Sequence, residues 1–124
     1  MAKTSQLGQT GRIGESLAIR HLKEQNYKVL DTNVTYKFGE IDIVAQREKV
    51  IHFIEVKAAD SNSRMMVSLS ERIGHSKQLR IKKSVQQYVV ENNLYEHELQ
   101  IDAILIKVDT SQKAATIKYI ANII

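Results

Sequence analysis

Two short apolar runs separated by a charged turn dominate the middle of this chain. The first run is GEIDIVA, residues 39–45, and the second is VIHFIEVK, residues 50–57. Successive side chains of a strand point to opposite faces, so each run presents one set of alternate residues to each face. The residues between them, QREK, are polar enough to turn the chain. The pattern therefore predicts a β-hairpin.

Three ionisable side chains, Asp42, Glu55 and Lys57, stand in the predicted hairpin. Glu55 and Lys57 point to the same face, about 6.6 Å apart along the strand at ~3.3 Å per residue. If residues 47–48 form the loop, Asp42 lies opposite Phe53 and diagonal to Glu55. If the pairing shifts two residues on, Asp42 lies directly opposite Glu55. Both registers put the three charges on one face, whereas a slip by a single residue would separate them.

Two carboxylates and a lysine on one face suit phosphodiester chemistry. Mg²⁺ is bound by one or two protein carboxylates together with water and phosphate oxygens. Such an ion lowers the pKa of a bound water and neutralises charge in the transition state. Lys57 would orient or deprotonate the attacking water, or stabilise the developing negative charge. The alternative is a solvated charged face, which fits less well because Glu55 and Lys57 end an apolar strand and buried charges need partners.

An acid in the first strand followed by Glu-Val-Lys at the end of the second resembles the PD-(D/E)xK motif of restriction-endonuclease-like nucleases. A fuller series resembles the YraN-like family of small bacterial proteins and spans nearly the whole chain. The positions that carry it are Gly14-Glu15, Gly39-Glu40-Ile41-Asp42, Phe53-Ile54-Glu55-Val56-Lys57, Lys77-Gln78 and Ile101-Asp102. The resemblance implies a nuclease-like fold and a Mg²⁺-dependent phosphodiesterase site, with Holliday junction resolvases as structural relatives.

The resemblance also implies roles for individual residues. Asp42 and Glu55 would hold Mg²⁺, or Mn²⁺ in its place, and Lys57 would assist catalysis. Glu15 would be a further carboxylate reaching the hairpin from a helix, although an acid in the first turn of a helix is also simply favourable there. The expected contacts to DNA phosphates are Lys77, Gln78, Arg80, Arg64 and Arg72. For the basic residues the alternative is an ordinary solvated face, and for Asp102 a structural role is expected.

The chain departs from the family pattern at several places. No Pro precedes Asp42, and Ala58-Ala59 replaces the Thr-Arg that commonly follows the lysine. Gln100 stands where an Arg usually precedes the late Asp, and the segment after Ala59 lacks the usual Phe-Gly and Pro landmarks. These departures leave the expected metal site alone but change the residues expected to contact substrate.

The remaining elements follow from periodicity and turn residues. The predicted elements are a helix over residues 10–26 capped by Thr10, a strand over 27–35, a short strand or flap at 65–67, a helix over 76–93 capped by Ser76, and strands over 99–108 and 114–124. The order is helix, strand, hairpin, helix, strand, strand. It predicts one α/β domain spanning residues 1–124, a restriction-endonuclease-like sandwich with a central mixed β-sheet flanked by helices.

Composition narrows the function classes. The chain of 124 residues has no cysteine, which excludes disulfides, thiol catalysis and thiolate zinc sites. No run approaches the ~20 apolar residues of a membrane helix, and no signal peptide is visible, so a cytoplasmic protein without membrane contact is expected. The net charge of +4 permits a polyanionic partner. The absence of Trp and the presence of only seven Tyr and Phe residues argue against base stacking as the main binding mode.

Three functions remain open. The first is a metal-dependent endonuclease acting on DNA, including branched or structured DNA. The second is a nucleic-acid-binding module on a nuclease fold, without turnover, and the third is an interaction protein. The intact Asp-Glu-Lys set favours the first, whereas the departures after Lys57 favour the second. Many enzymes of this fold act as symmetric dimers on duplex DNA, so a homodimer is a further expectation.

Overall fold

A computed structural model describes residues 9–60, 74–109 and 111–124. The elements in chain order are α1 (Gln9–Glu24), β1 (Lys28–Tyr36), β2 (Gly39–Arg47), β3 (Val50–Asp60), α2 (His75–Asn92), β4 (Glu98–Asp109) and β5 (Ala114–Ile120). The strands form one sheet in the order β1-β2-β3-β4-β5. Only the β3–β4 pairing is parallel, and the other neighbours in this sheet are antiparallel. The predicted element order and the mixed sheet flanked by helices are confirmed.

Helix α1 covers one face of the sheet. Ala18 and Leu22, one helical turn apart, are fully buried against sheet residues such as Ile43, Ile54 and Ile104. Helix α2 covers the other face. Its Ile81, Val85, Tyr88 and Val89 pack on a second cluster formed by Ile41, Val44, Ile51 and Phe53. Strand β3 alternates regularly, with Ile51 and Phe53 in the α2 cluster and Ile54 in the α1 cluster. Strand β2 does not, because Ile41 packs with Val44 in the α2 cluster while Ile43 packs in the α1 cluster, so the alternation is broken between Ile41 and Ile43.

Strand β4 lies inside the sheet and is covered on both sides. Four consecutive residues in the middle of β4 are all buried: Ala103, Ile104, Leu105 and Ile106. This confirms the prediction from its nearly continuous apolar sequence, which is typical of a strand with both faces covered.

The β2–β3 register decides the arrangement of the predicted site. Val44 pairs with Phe53 and Ile43 pairs with Ile54, so Glu48 and Lys49 form the turn. The turn lies one residue beyond the first predicted loop, and Glu48 takes a left-handed φ of 58° there. Moving a two-residue loop by one position shifts the register by two and preserves the faces.

Several predicted boundaries and caps are wrong. Helix α1 begins at Gln9, so Thr10 lies inside the helix instead of capping it. Helix α2 begins at His75, and its N-cap is Gly74, which makes no side-chain capping bond, so Ser76 lies in the first turn. At the other end Asn93 takes a left-handed conformation, and its N–H bonds to the carbonyls of Val89 and Val90. The strand or flap predicted at 65–67 lies outside the described residues.

Strand β1 is one element of the sheet but is irregular along its length. It carries an irregularity between Val29 and Asp31, and Asn33 takes a left-handed φ of 54° within the strand.

Neither helix in the described part of the chain is long and apolar enough to cross a membrane.

Candidate active site

An open cleft of about 410 Å³ lies between the β1–β2 turn, the second half of β3 and the start of α2. Its lining is unusually rich in charge, and the charged side chains are Lys37, Glu40, Glu55, Lys57, Lys77 and Arg80. Thr35, Tyr36, Phe38, Gly39 and Ile81 complete it. Two of the three charges singled out in the hairpin, Glu55 and Lys57, therefore face a cavity large enough for a small ligand.

Two lysines from different elements hold the Glu55 carboxylate. Its Oε1 lies 3.2 Å from the Lys57 Nζ on the same strand and 2.9 Å from the Lys77 Nζ on α2. The Glu55 side chain is only 14% exposed, whereas the side chains of Lys57 and Lys77 are 42% and 32% exposed. The cluster joins β3 to α2 and leaves both ammonium groups reachable from the cleft.

The lysines determine the charge states in this cluster. Burial by itself raises the pKa of Glu55, but the hydrogen bond and charge of Lys77, followed by those of Lys57, bring it below its ordinary value. Burial by itself lowers the pKa of Lys57, but the neighbouring carboxylates of Glu55 and Glu40 bring it above its ordinary value of 10.5. At neutral pH, Glu55 is ionised and Lys57 is protonated.

Asp42 is anchored beside this cluster without being part of the cleft wall. Its side chain is 8% exposed. Its Oδ2 accepts a hydrogen bond of 2.8 Å from the backbone N–H of Val56, the residue between Glu55 and Lys57. Ile43 of β2 pairs with Ile54 of β3. Asp42 precedes Ile43 and Glu55 follows Ile54, so the two carboxylates lie on neighbouring strands at the same level of the sheet.

Glu15 reaches the sheet through Asn33 on β1. The Asn33 Nδ2 donates a hydrogen bond of 2.7 Å to the Glu15 Oε1. Asn33 lies between the β1–β2 pairs Thr32–Ile43 and Val34–Ile41, at the level of Asp42. Its buried Oδ1 has no hydrogen-bond partner within the described ranges. Asn33 of β1 thus connects Glu15 of α1 to the level of Asp42 on the neighbouring strand β2. The sequence did not single out Asn33.

Gly14 explains why α1 can lie so close to the sheet at this point. A Cβ added at Gly14 would lie 2.4 Å from the Cβ of Ala58, the residue directly after Lys57. Gly39 allows a similar approach on the other face, where an added Cβ would lie 2.8 Å from the Ser84 Oγ of α2. Strands β1 and β2 are joined by the Lys37–Phe38 turn, and Gly39, directly after it, allows the close packing against α2.

The predicted phosphate contacts separate into three groups. Lys77 and Arg80 line the cleft. Gln78 belongs to α2 but does not line the cleft. Arg64 and Arg72 lie outside the described residues. The first turn of α2 carries no acidic residue, and its N-cap is Gly74, which has no side chain to cap the helix, so the positive end of this helix adds to the charge of the two cationic side chains.

Sequence reasoning missed part of the cleft wall. Glu40 shares the alternation of Asp42, which was a usable signal, and in the structure it lies in the cleft near Lys57. Tyr36, Lys37 and Phe38 were interpreted only as a turn. Nothing in their spacing indicates that the turn folds over toward α2, because that contact depends on long-range packing.

Asp102 lies outside the cleft, in a buried polar network. Its side chain is fully buried, and it accepts hydrogen bonds from the His52 Nδ1 at 2.7 Å, the Gln100 Nε2 at 2.9 Å, the backbone N–H of Asn122 at 2.8 Å and the Tyr119 hydroxyl. Burial by itself raises the pKa of Asp102, but these bonds bring it below its ordinary value. The expected structural role is confirmed, and Gln100 supplies a donor to this carboxylate.

A family model described as "Uncharacterised protein family UPF0102" matches residues 14–106. The matched region contains Glu15, Asp42, Glu55, Lys57 and Lys77. The chain belongs to this family. The resemblance noted from the motifs is therefore confirmed at the level of the family, whereas membership of a nuclease superfamily remains an expectation.

Similarity over most of the chain to other UPF0102 proteins agrees with the match. A UPF0102 protein of Campylobacter jejuni subsp. doylei is 37% identical over 109 residues, covering 88% of this chain and 93% of the relative. One from Alkaliphilus oremlandii is 35% identical over 112 residues, covering 90% and 94%. One from Fervidobacterium nodosum is 40% identical over 98 residues, covering 77% and 71%. These names state a family and no activity.

Proposed function

We propose that this UPF0102 protein is a metal-dependent endonuclease that hydrolyses phosphodiester bonds of DNA, with branched or structured DNA as the first substrate class to test. One observation carries the proposal. The Glu55–Lys57–Lys77 cluster lies in an open cleft, and the Asp42 carboxylate is anchored to β3 directly beside it. A partly buried carboxylate with two cations accessible from a cavity suits an anionic substrate better than a solvated surface does.

The donor set fits Mg²⁺ or Mn²⁺. Asp42 and Glu55 would hold the ion, since hard cations prefer carboxylate oxygens. Residues 9–60, 74–109 and 111–124 contain no group of three or more His, Cys, Asp or Glu side chains that would form a complete metal site, so water and substrate oxygens would supply the remaining ligands, as is usual for Mg²⁺. When bound, the ion would acidify a water and neutralise charge on the phosphate.

The lysines would act as cations rather than as bases. The raised pKa of Lys57 keeps it protonated at neutral pH, which favours orienting the water or stabilising negative charge over deprotonation. Lys77 and Arg80 would bind phosphate oxygens at the positive end of α2. Glu15 would be a positioning residue, because it holds Asn33 at the level of Asp42.

Cleavage of labelled linear, flapped, single-stranded and four-way DNA with Mg²⁺ or Mn²⁺ tests the proposal. The variants are Asp42→Asn, Glu55→Gln and Lys57→Ala. Glu48→Gln is the matched control, because it removes an exposed carboxylate from the turn of the same hairpin. We expect each site variant to lose at least ~100-fold in rate, as when groups that stabilise transition-state charge are removed, and the control to keep wild-type activity.

The other outcomes separate the competing functions. Wild-type protein that binds DNA but cuts none of the four substrates with either metal would favour a binding module. Protein that neither binds nor cuts would overturn the nuclease assignment. Circular dichroism of each variant shows whether a lost rate reflects lost folding, which matters most for the buried Asp42.

A further inference from the structure

Two aromatic side chains at the mouth of the cleft stack on each other. The rings of Tyr36 and Phe38 have centroids 5.6 Å apart and planes inclined by only 17°. Both side chains line the cleft that contains Glu55, Lys57 and Lys77. They come from the β1–β2 hairpin, opposite the start of α2.

A hydrogen bond holds the Tyr36 ring of this pair in place. The Tyr36 hydroxyl donates a hydrogen bond of 2.7 Å to the Glu91 Oε1 near the end of α2. Burial and then this bond raise the pKa of Tyr36 well above its ordinary value, so the phenol stays a donor at any physiological pH. Tyr36 thus gives Phe38 a rigid support.

The Phe38 ring is exposed and lines two cavities. Phe38 is 36% exposed. It lines the cleft on one side and, on the other, a groove of about 340 Å³ formed with Lys83, Gln86, Gln87 and Val90 of α2. Cations accompany it on both sides, since Lys77 and Arg80 line the cleft and Lys83 lines the groove. A supported aromatic face flanked by cations is the combination that binds single-stranded nucleic acid.

We infer that Phe38 is the stacking platform for an unpaired nucleobase next to the bond that is cut, so that the substrate class is DNA with unpaired nucleotides. This inference rests on the proposed function. A base exposes its π-face to a protein only when it is unpaired or splayed out of the stack. The cleft of about 410 Å³ is large enough to admit one nucleotide.

Binding without divalent metal separates this inference from catalysis. Fluorescence anisotropy would compare a flapped DNA, a single strand and a fully paired duplex for wild type, Phe38→Ala, Phe38→Trp and Tyr95→Ala. Tyr95 is the matched control because its aromatic side chain is 65% exposed but lines neither cavity. We expect Phe38→Ala to weaken flap and single-strand binding about 5- to 150-fold, the range of base–aromatic stacking. Duplex binding should change less than about twofold, because phosphate contacts supply it.

A spectroscopic signature identifies stacking itself. 2-Aminopurine placed in the flap should be quenched on binding to wild type and to Phe38→Trp, but not to Phe38→Ala. Equal loss of flap and duplex binding in Phe38→Ala, or unchanged quenching, would overturn the inference while leaving metal-dependent cleavage by the wild type intact. Absence of any DNA binding by the wild type would overturn both the inference and the proposed function.

Discussion

Removing the Asp102 carboxylate tests how much of the fold depends on one buried network. Asp102 on β4 is bonded by His52 from β3, Tyr119 from β5 and the backbone of Asn122 beyond β5. Deleting the carboxylate leaves the donors of His52, Tyr119 and Asn122 unpaired, and each unpaired buried donor costs about 1–3 kcal/mol before relaxation. We expect Asp102→Ala to lower the free energy of unfolding by about 3–5 kcal/mol.

Thermal melting followed by circular dichroism measures this loss. A chain of this size loses roughly 3–5 °C in Tm per kcal/mol, so the Tm should fall by about 10–20 °C. Asp109→Asn is the matched control, since Asp109 ends the same strand but bonds only the exposed turn at Ser111 and Gln112, and its Tm should barely change. A fall of less than about 4 °C in Asp102→Ala would refute the reasoning that this network holds β5 on the sheet.

The same carboxylate gives a pH test with a defined sign. The pKa of Asp102 is lower in the folded protein than its ordinary value of 3.8. The contribution of the ionised Asp102 to the free energy of unfolding is therefore fully present above pH 3.8 and is lost as the pH falls through the folded-state pKa. Acid titration of stability should show a steeper loss below about pH 4 in the wild type than in Asp102→Asn. Parallel curves would contradict this.

Two further predictions concern the surroundings of the cleft. Gly14→Ala should lower stability by about 1–3 kcal/mol in urea denaturation, because its Cβ would lie 2.4 Å from that of Ala58. Ala58→Gly should rescue Gly14→Ala, and an unchanged midpoint in Gly14→Ala would contradict the close packing. If the protein cuts DNA, its pH–rate profile should show no descending limb from Lys57 below its ordinary pKa of 10.5, because Glu55 brings that pKa higher. A descending limb near pH 8 that disappears in Lys57→Arg would contradict this, whereas an ascending limb there, with activity lost in Lys57→Arg, would identify Lys57 as the base.

The hairpin was predictable because it depends on local information. Alternation of apolar and charged residues over residues 39–57 determines which side chains share a face, and any register that buries the apolar set keeps Asp42, Glu55 and Lys57 together. Of the two registers predicted, the one that puts Asp42 level with Glu55 is observed. The cap predicted at Ser76 was wrong because the N-cap of α2 is Gly74, two residues earlier, and glycine is itself a common N-cap residue.

By itself, the sequence determined the order of the elements, the faces of the strands and the identity of the charged set, because these follow from periodicities of two and 3.6 along the chain. Only the tertiary structure decided that Lys77 of α2 meets Glu55, that Asn33 links Glu15 to the level of Asp42, and that Phe38 stands at the mouth of the cleft. Each of these contacts joins elements far apart in sequence. Their geometry depends on how helices pack on the sheet, where close approaches such as that of Gly39 to Ser84 set the distances.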